Sequence, residues 1–118
     1  MGELSLRGDV IEEPKLGTRD GDRHYALLRI EAKYFPIPGK EPILFGHNVF
    51  YYNDDYEHLA RVATTGTTVL ISGSATPRTV IDASGQRIDH HEVTVKRISF
   101  YDDRMTYHEF GTPLPFEP

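Results

Sequence analysis

From Gly66 to Phe100 the chain carries two long β-forming runs with a turn between them. Val69, Leu70, Ile71 and Val80-Ile81 supply the first run; Ile88, Val93, Val95, Ile98 and Phe100 supply the second. β-branched and aromatic side chains at this density fit a pleated, half-buried surface. Asp82 and Ser84-Gly85 lie between the runs and are turn chemistry, because Asp bonds nearby backbone and Gly accepts positive φ. Arms of this length project past a small domain, which suits an arm closing over something extended.

The segments before this hairpin also read as strands. Leu4 to Ile11 alternates apolar and polar residues around Gly8, which marks a bulge or bend. Gly17 to Asp22 is a hairpin loop by composition. In His24 to Ala32 the parity puts Ala26, Leu28 and Ile30 inward, with Tyr25, Leu27 and Arg29 on the other face. Arg23, Arg29 and Lys33 then share a surface with Tyr25, either as a solvated strand face or as a cationic contact surface. Tyr34 to Gly46 is a loop stiffened by Pro36, Pro38 and Pro42. Tyr34 and Phe35 either end the preceding strand inside the core or stand exposed, where aromatic rings are costly unless they bind. His47 to Tyr52 is a strand with Val49 and Tyr51 on one side and Asn48, Phe50 and Tyr52 on the other.

One helix is expected, over Asp54 to Ala63. Asp54 and Glu57 have the spacing of a capping box, and Tyr56, Leu59, Ala60 and Ala63 recur at helical spacing as core residues. Gly66 is the stop signal. Beyond Phe100, Asp102-Asp103 makes a turn, Met105 to Phe110 adds a short strand, and Gly111 to Pro118 is an extended, Pro-punctuated end.

Length and charge narrow the function classes. With 118 residues there is room for one domain, divided as 1–100 and a short C-terminal extension at 101–118. No Cys is present, which excludes disulfides and thiol-only metal sites and fits a cytosolic protein. No apolar run is long enough for a membrane span. The net charge of −5 argues against a generic polyanion binder, yet it is uneven. The first hundred residues hold 12 Lys/Arg against 14 Asp/Glu, and the last 18 hold one Arg against four acids. A local basic groove therefore fits within a nearly neutral domain.

No enzyme chemistry is visible. His90 and His91 point to opposite faces of a strand, and His90 with Glu92 makes only two ligands, too few for a metal site. There is no nucleophile–base pairing and no glycine-rich phosphate loop, so neither catalytic residues nor cofactors are implied.

The order of these features carries a resemblance. Gly66 before Val69-Leu70-Ile71, the closing Gly73, a Thr/Arg-containing strand, Asp82-x-Ser84-Gly85-Gln86 and Glu92-Val93-x-Val95 resemble the C-terminal half of the bacterial single-stranded DNA-binding proteins, an OB-fold family. Tyr56 to Ala63 falls on that family's helix, and Leu6-Arg7-Gly8, Asp9-Val10 and Pro14 on its opening strand, so the likeness covers about residues 4–100. It implies an all-β fold, a five-stranded OB-fold barrel with one short α-helix. It also implies binding of single-stranded DNA without strong sequence preference, in replication, repair or recombination, in the cytoplasm on the nucleoid. His47 falls on the family's strand histidine at a subunit interface, implying a homo-oligomer, a tetramer or a dimer. The stacking residues so implied are Tyr34, Phe35, Phe50 and Tyr52, with Arg7, Arg29, Lys33, Arg78 and Arg97 on the backbone. Gly46 and Val80 stand where the family commonly has tryptophan, which implies a lower affinity. Leu114-Pro115-Phe116 is similar to the family's acidic terminal tip, but Glu117-Pro118 follows, and the preceding acids and the long flexible linker are absent, so partner recruitment is not carried over. These departures also fit a second reading, an OB-fold interaction subunit with weak or lost DNA affinity.

Overall fold

The alternation around Gly8 forms strand β1 (Gly2–Val10) in the computed structural model, which describes residues 2–112. There follow β2 (Lys15–Arg19), β3 (Arg23–Tyr34), β4 (Ile43–Tyr51), helix α1 (Tyr56–Val62), β5 (Thr68–Ile81), β6 (Arg87–Tyr101) and β7 (Tyr107–Gly111). Strands run in the order β1-β5-β6-β4-β3-β2, and β1 also pairs with β3. That second pairing closes β1, β5, β6, β4 and β3 into a five-stranded barrel, the OB-fold arrangement expected from the sequence. β2 hangs on the outer edge of β3, and β7 pairs with β6.

Strand parity decides the core. Ala26, Leu28 and Ile30 are fully buried, as are Val49 and Tyr51, so the inward faces are those the alternation indicates. Leu59 and Ala63 at the end of α1 are also fully buried and close the barrel mouth. In β6 the buried set shifts from Val93 and Val95 to Ile98 and Phe100, which reverses the parity. The ladder shows why: Gly73 pairs with Val95 and Ser72 with Arg97, leaving Lys96 as the extra residue of a bulge.

Closure depends on Gly8. β1 pairs with β5 from Gly2 to Asp9, then meets β3 at Asp9↔Glu31 and Val10↔Ile30. At this corner a Cβ on Gly8 would lie 2.6 Å from the Ile30 Cγ2 and 2.7 Å from the Glu31 carbonyl oxygen. Only a residue without a side chain lets β1 lean this closely on β3.

Four boundaries differ from the sequence reading. The expected loop at Gly17–Asp22 is shorter, because Lys15–Arg19 pairs with β3 and only residues 20–22 turn. Tyr34 pairs with Ile43, so the irregular part of the Pro-rich segment is 35–42 rather than 34–46. The helix starts at Tyr56 with Asp55 as N-cap, and no side-chain cap bond forms. The Asp54–Glu57 capping box is therefore absent; the Asp55 carboxylate instead accepts the Tyr51 hydroxyl at 2.5 Å. Burial, and then the Asp55 bond and charge, push the Tyr51 phenol far above its ordinary range. β7 covers Tyr107–Gly111 instead of Met105–Phe110, and its Phe110 packs into the core. Leu114-Pro115-Phe116 lies outside the described residues.

The β5–β6 hairpin outreaches the barrel. β5 is paired with β1 only up to Ala75, and β6 meets β4 only at Glu92, Val93 and Thr94. Residues 76–81 and 87–91 thus form a two-stranded ribbon. Its tip is tied by the Asp82 Oδ1, which accepts the backbone N–H of Ser84 and of Gln86, each at 2.9 Å. Gly85 sits at φ 85° in this turn. Among the described residues no helix is long and apolar enough to cross a membrane.

Replacing Gly8 by Val forces β1 away from β3. Gly8→Val is expected to lower stability by about 1–3 kcal/mol, in the range of other overpacking changes. Urea unfolding measures it, and an unchanged midpoint would rule out closure through this contact.

Candidate nucleic-acid interface

The outer wall of β3 and β4 gathers three aromatic rings. Tyr25 leaves β3, Phe50 leaves β4, and Tyr52 follows directly after β4. Their parity is opposite to that of the core residues, so none belongs to the core cluster. Tyr25 meets Phe50 edge-on at 5.2 Å and Tyr52 at 5.8 Å, while Phe50 and Tyr52 lie nearly parallel at 6.2 Å and 13°. Tyr25 is held down because its partner across the ladder is Gly17. A Cβ there would come within 2.4 Å of the Tyr25 hydroxyl, so the ring occupies the space a side chain would need.

Arginines cover this cluster. The Arg23 guanidinium lies 3.8 Å from the centre of the Tyr52 ring, and that of Arg19 lies 4.6 Å from the centre of Phe50. With Arg19 over it and the Tyr25 and Tyr52 rings beside it, Phe50 keeps only 6% of its surface exposed. Arg19 Nη1 donates to the Tyr52 hydroxyl at 2.9 Å and to Glu92 Oε1 at 3.1 Å; Nη2 donates to Glu92 Oε2 at 3.5 Å. Arg78, on β5, also donates from Nε to Glu92 Oε1, at 3.3 Å. Burial alone would raise the Glu92 carboxyl, but the hydrogen bonds and charges of Arg19 and Arg78 outweigh it and hold the pKa below the usual range.

Further along the wall, Arg29 donates to the Asn48 side chain at 2.7 Å. Its guanidinium fills the space over Gly46, where a Cβ would stand 2.7 Å from Arg29 Nη2. A ring at position 46 and this arginine conformation exclude each other. Lys33 continues the strand outward, and Tyr34 and Phe35 stand exposed at its end, 56% and 60% accessible. They are thus not part of the core.

The wall therefore brings together Phe50, Tyr52, Arg29 and Lys33, with Arg78 at the root of the ribbon and Tyr34 and Phe35 at the far tip of β3. Arg7 and Arg97 lie elsewhere, beside Leu70 and Ser72 on the outer face of β1, β5 and β6. Arg97 is ion-paired with Glu109. His47 is half-buried opposite Ile30; burial first and the Arg29 charge second lower its pKa and favour the neutral ring.

Arg19, Glu92 and Gly17 are the site residues that sequence reasoning missed. Gly17 and Arg19 lie in a segment with loop composition, and Glu92 stands out in the sequence only beside His90 and in the Glu92-Val93-x-Val95 pattern. Its carboxylate is in fact taken up by two arginines.

No protein-family model matches the chain, and a search of curated proteins found no match. Solved structures do match. The single-stranded DNA-binding protein of Plasmodium falciparum, solved in complex with single-stranded DNA, superposes with a TM-score of 0.64 at 18% identity, over 80% of this chain and 85% of that one. The small single-stranded DNA-binding protein of Streptomyces coelicolor gives 0.69 at 14% identity, over 83% and 92%. At these identities the likeness is one of fold. The barrel is the OB-fold of the family that the sequence resembles.

Phe50 is outside the core yet covered, so it contributes to stability like a buried ring. Phe50→Ala is expected to cost about 3 kcal/mol, the lower end for buried Phe. Chemical denaturation tests this, and a loss below about 1 kcal/mol would mean that the Arg19 cover is loose in solution.

Proposed function

We propose that this protein binds single-stranded DNA without strong sequence preference, as a non-catalytic component of replication, repair or recombination in the cytoplasm, on the nucleoid. The observation that carries the reading is the cluster of Tyr25, Phe50 and Tyr52 with Arg19 and Arg23 on the outer wall of an OB barrel. Aromatic faces stack on bases of any identity, and guanidinium groups neutralise phosphates, so such a wall reads shape and charge more than sequence. A neighbour in fold was solved with single-stranded DNA, which supports the same ligand here.

Along this path Tyr52, Phe50 and the outlying Tyr34 and Phe35 supply rings, while Arg29, Lys33 and Arg78 supply charge. Arg7 and Arg97 serve the same strand only if it wraps round the barrel. The protein works as a homo-oligomer with His47 near the contact, since a small domain gains burial by pairing. The rival reading is an OB-fold protein-interaction subunit. It is favoured by the covered Phe50 and the net charge of −5. Titration with oligo-dT at low and high salt separates the two, because only the first gives saturable, salt-sensitive binding.

Tyr52→Ala is expected to weaken oligo-dT binding by about 1–3 kcal/mol with little change in melting temperature. Normal binding by a mutant that melts far lower would move the stacking site to Tyr34 and Phe35. The salt dependence should be shallow, since the logarithmic slope is about 0.7 per phosphate neutralised on a single strand and cations on this wall are few. A steep slope would place the binding path elsewhere. Sedimentation at micromolar concentration should show an oligomer that His47→Tyr weakens; a wild-type monomer would remove His47 from any interface.

A further inference from the structure

We propose that Glu92 is an affinity-setting residue, an internal anion that holds Arg19 over Phe50 until a phosphate of the bound strand takes its place. The inference rests on the single-stranded DNA reading above. The same guanidinium does two things at once. Its central carbon lies 4.6 Å from the centre of the Phe50 ring, and its terminal nitrogens donate to the two oxygens of Glu92. Carboxylate and phosphate offer arginine the same two-oxygen fork, so they compete for the same donors.

The cover and the latch are therefore released together. With Glu92 engaged, no base reaches Phe50, which is 6% exposed. When a phosphate draws Arg19 outward, the ring beneath it becomes a stacking surface. Arg19 does not face this choice unsupported. The Tyr52 hydroxyl accepts from it at 2.9 Å, and Arg78 also donates to Glu92 Oε1, at 3.3 Å. Arg78 can hold the Glu92 charge after Arg19 leaves, so the carboxylate is not stranded when the exchange occurs. The arrangement weakens binding of any strand by a fixed factor. It also shields an apolar ring while the protein is empty.

The test compares wild type, Glu92→Gln, Arg19→Gln and the double variant in oligo-dT titrations at one salt concentration. Glu92→Gln removes the competing charge and should bind roughly threefold to tenfold more tightly, the range of one modest ion pair. Arg19→Gln should bind more weakly than wild type. The gain from Glu92→Gln should shrink at least twofold in the Arg19→Gln background, because the part that acts through Arg19 is gone; an undiminished gain overturns the latch. Glu92→Gln binding no tighter than wild type overturns the latch and leaves the DNA reading standing. Absence of binding by both wild type and Glu92→Gln overturns both. If Glu92→Gln does not fold, the wild-type protein still decides. The carbon-13 resonance of the Glu92 carboxylate should move when oligo-dT is added to the assigned protein; an unmoved resonance at saturation means that Arg19 never leaves, and the latch is rejected.

Discussion

Closing a five-stranded sheet on itself forces one strand to serve two neighbours. β1 does so by running along β5 and then crossing to β3 at Asp9 and Val10. Everything else follows from that closure. It gives each barrel strand an inside and an outside, so that two neighbouring residues of β4, Tyr51 and Phe50, have opposite fates. Tyr51 enters the core, with its hydroxyl donating to the exposed Asp55 carboxylate, and Phe50 is presented to the outer wall. Gly8 is the residue without which the two walls do not meet.

The outer wall reconciles an acidic protein with the anionic ligand proposed for it. Net charge acts at a distance, whereas recognition depends on a few guanidinium groups placed on rings. Arg19 and Arg23 suit this where lysine would not. A planar guanidinium lies on an aromatic face and still offers a fork of donors at its edge. Gly46 fits the same logic, since the space that a ring would occupy there holds Arg29. The wall has exchanged aromatic surface for charge, which is a different balance from the one the family resemblance implies.

Much of this was legible in the sequence. The parity of Ala26, Leu28 and Ile30, and of Val49 and Tyr51, marked the core because a strand has only two faces. The turn at Asp82 to Gln86 was legible because its residues carry their own local chemistry. Elements that depend on a neighbour were not. β2 has the composition of a loop and becomes a strand only through its pairing with β3. The capping box failed because the helix starts one residue later than the pattern implies, with Asp55 as N-cap, and the Asp55 carboxylate is bonded by Tyr51, which no local pattern reveals. The Lys96 bulge did leave a trace, the switch from odd to even apolar positions between Val95 and Ile98. Arg19 and Glu92 lie 73 residues apart, and only the β2–β3, β3–β4 and β4–β6 pairings make them neighbours.

The ribbon beyond the barrel has a dynamic consequence. Its backbone groups between residues 76 and 91 are bonded only across a single ladder, with solvent along both edges. Such a segment opens and recloses with a free energy well below that of global unfolding. Its amide protons should thus exchange on a different clock from those of Leu28 or Val49. Glu92 stands at the root of the ribbon, paired with Thr76 on one side and Asn48 of the barrel on the other. The carboxylate that fixes Arg19 is therefore anchored at the boundary between the barrel and an arm held by a single ladder.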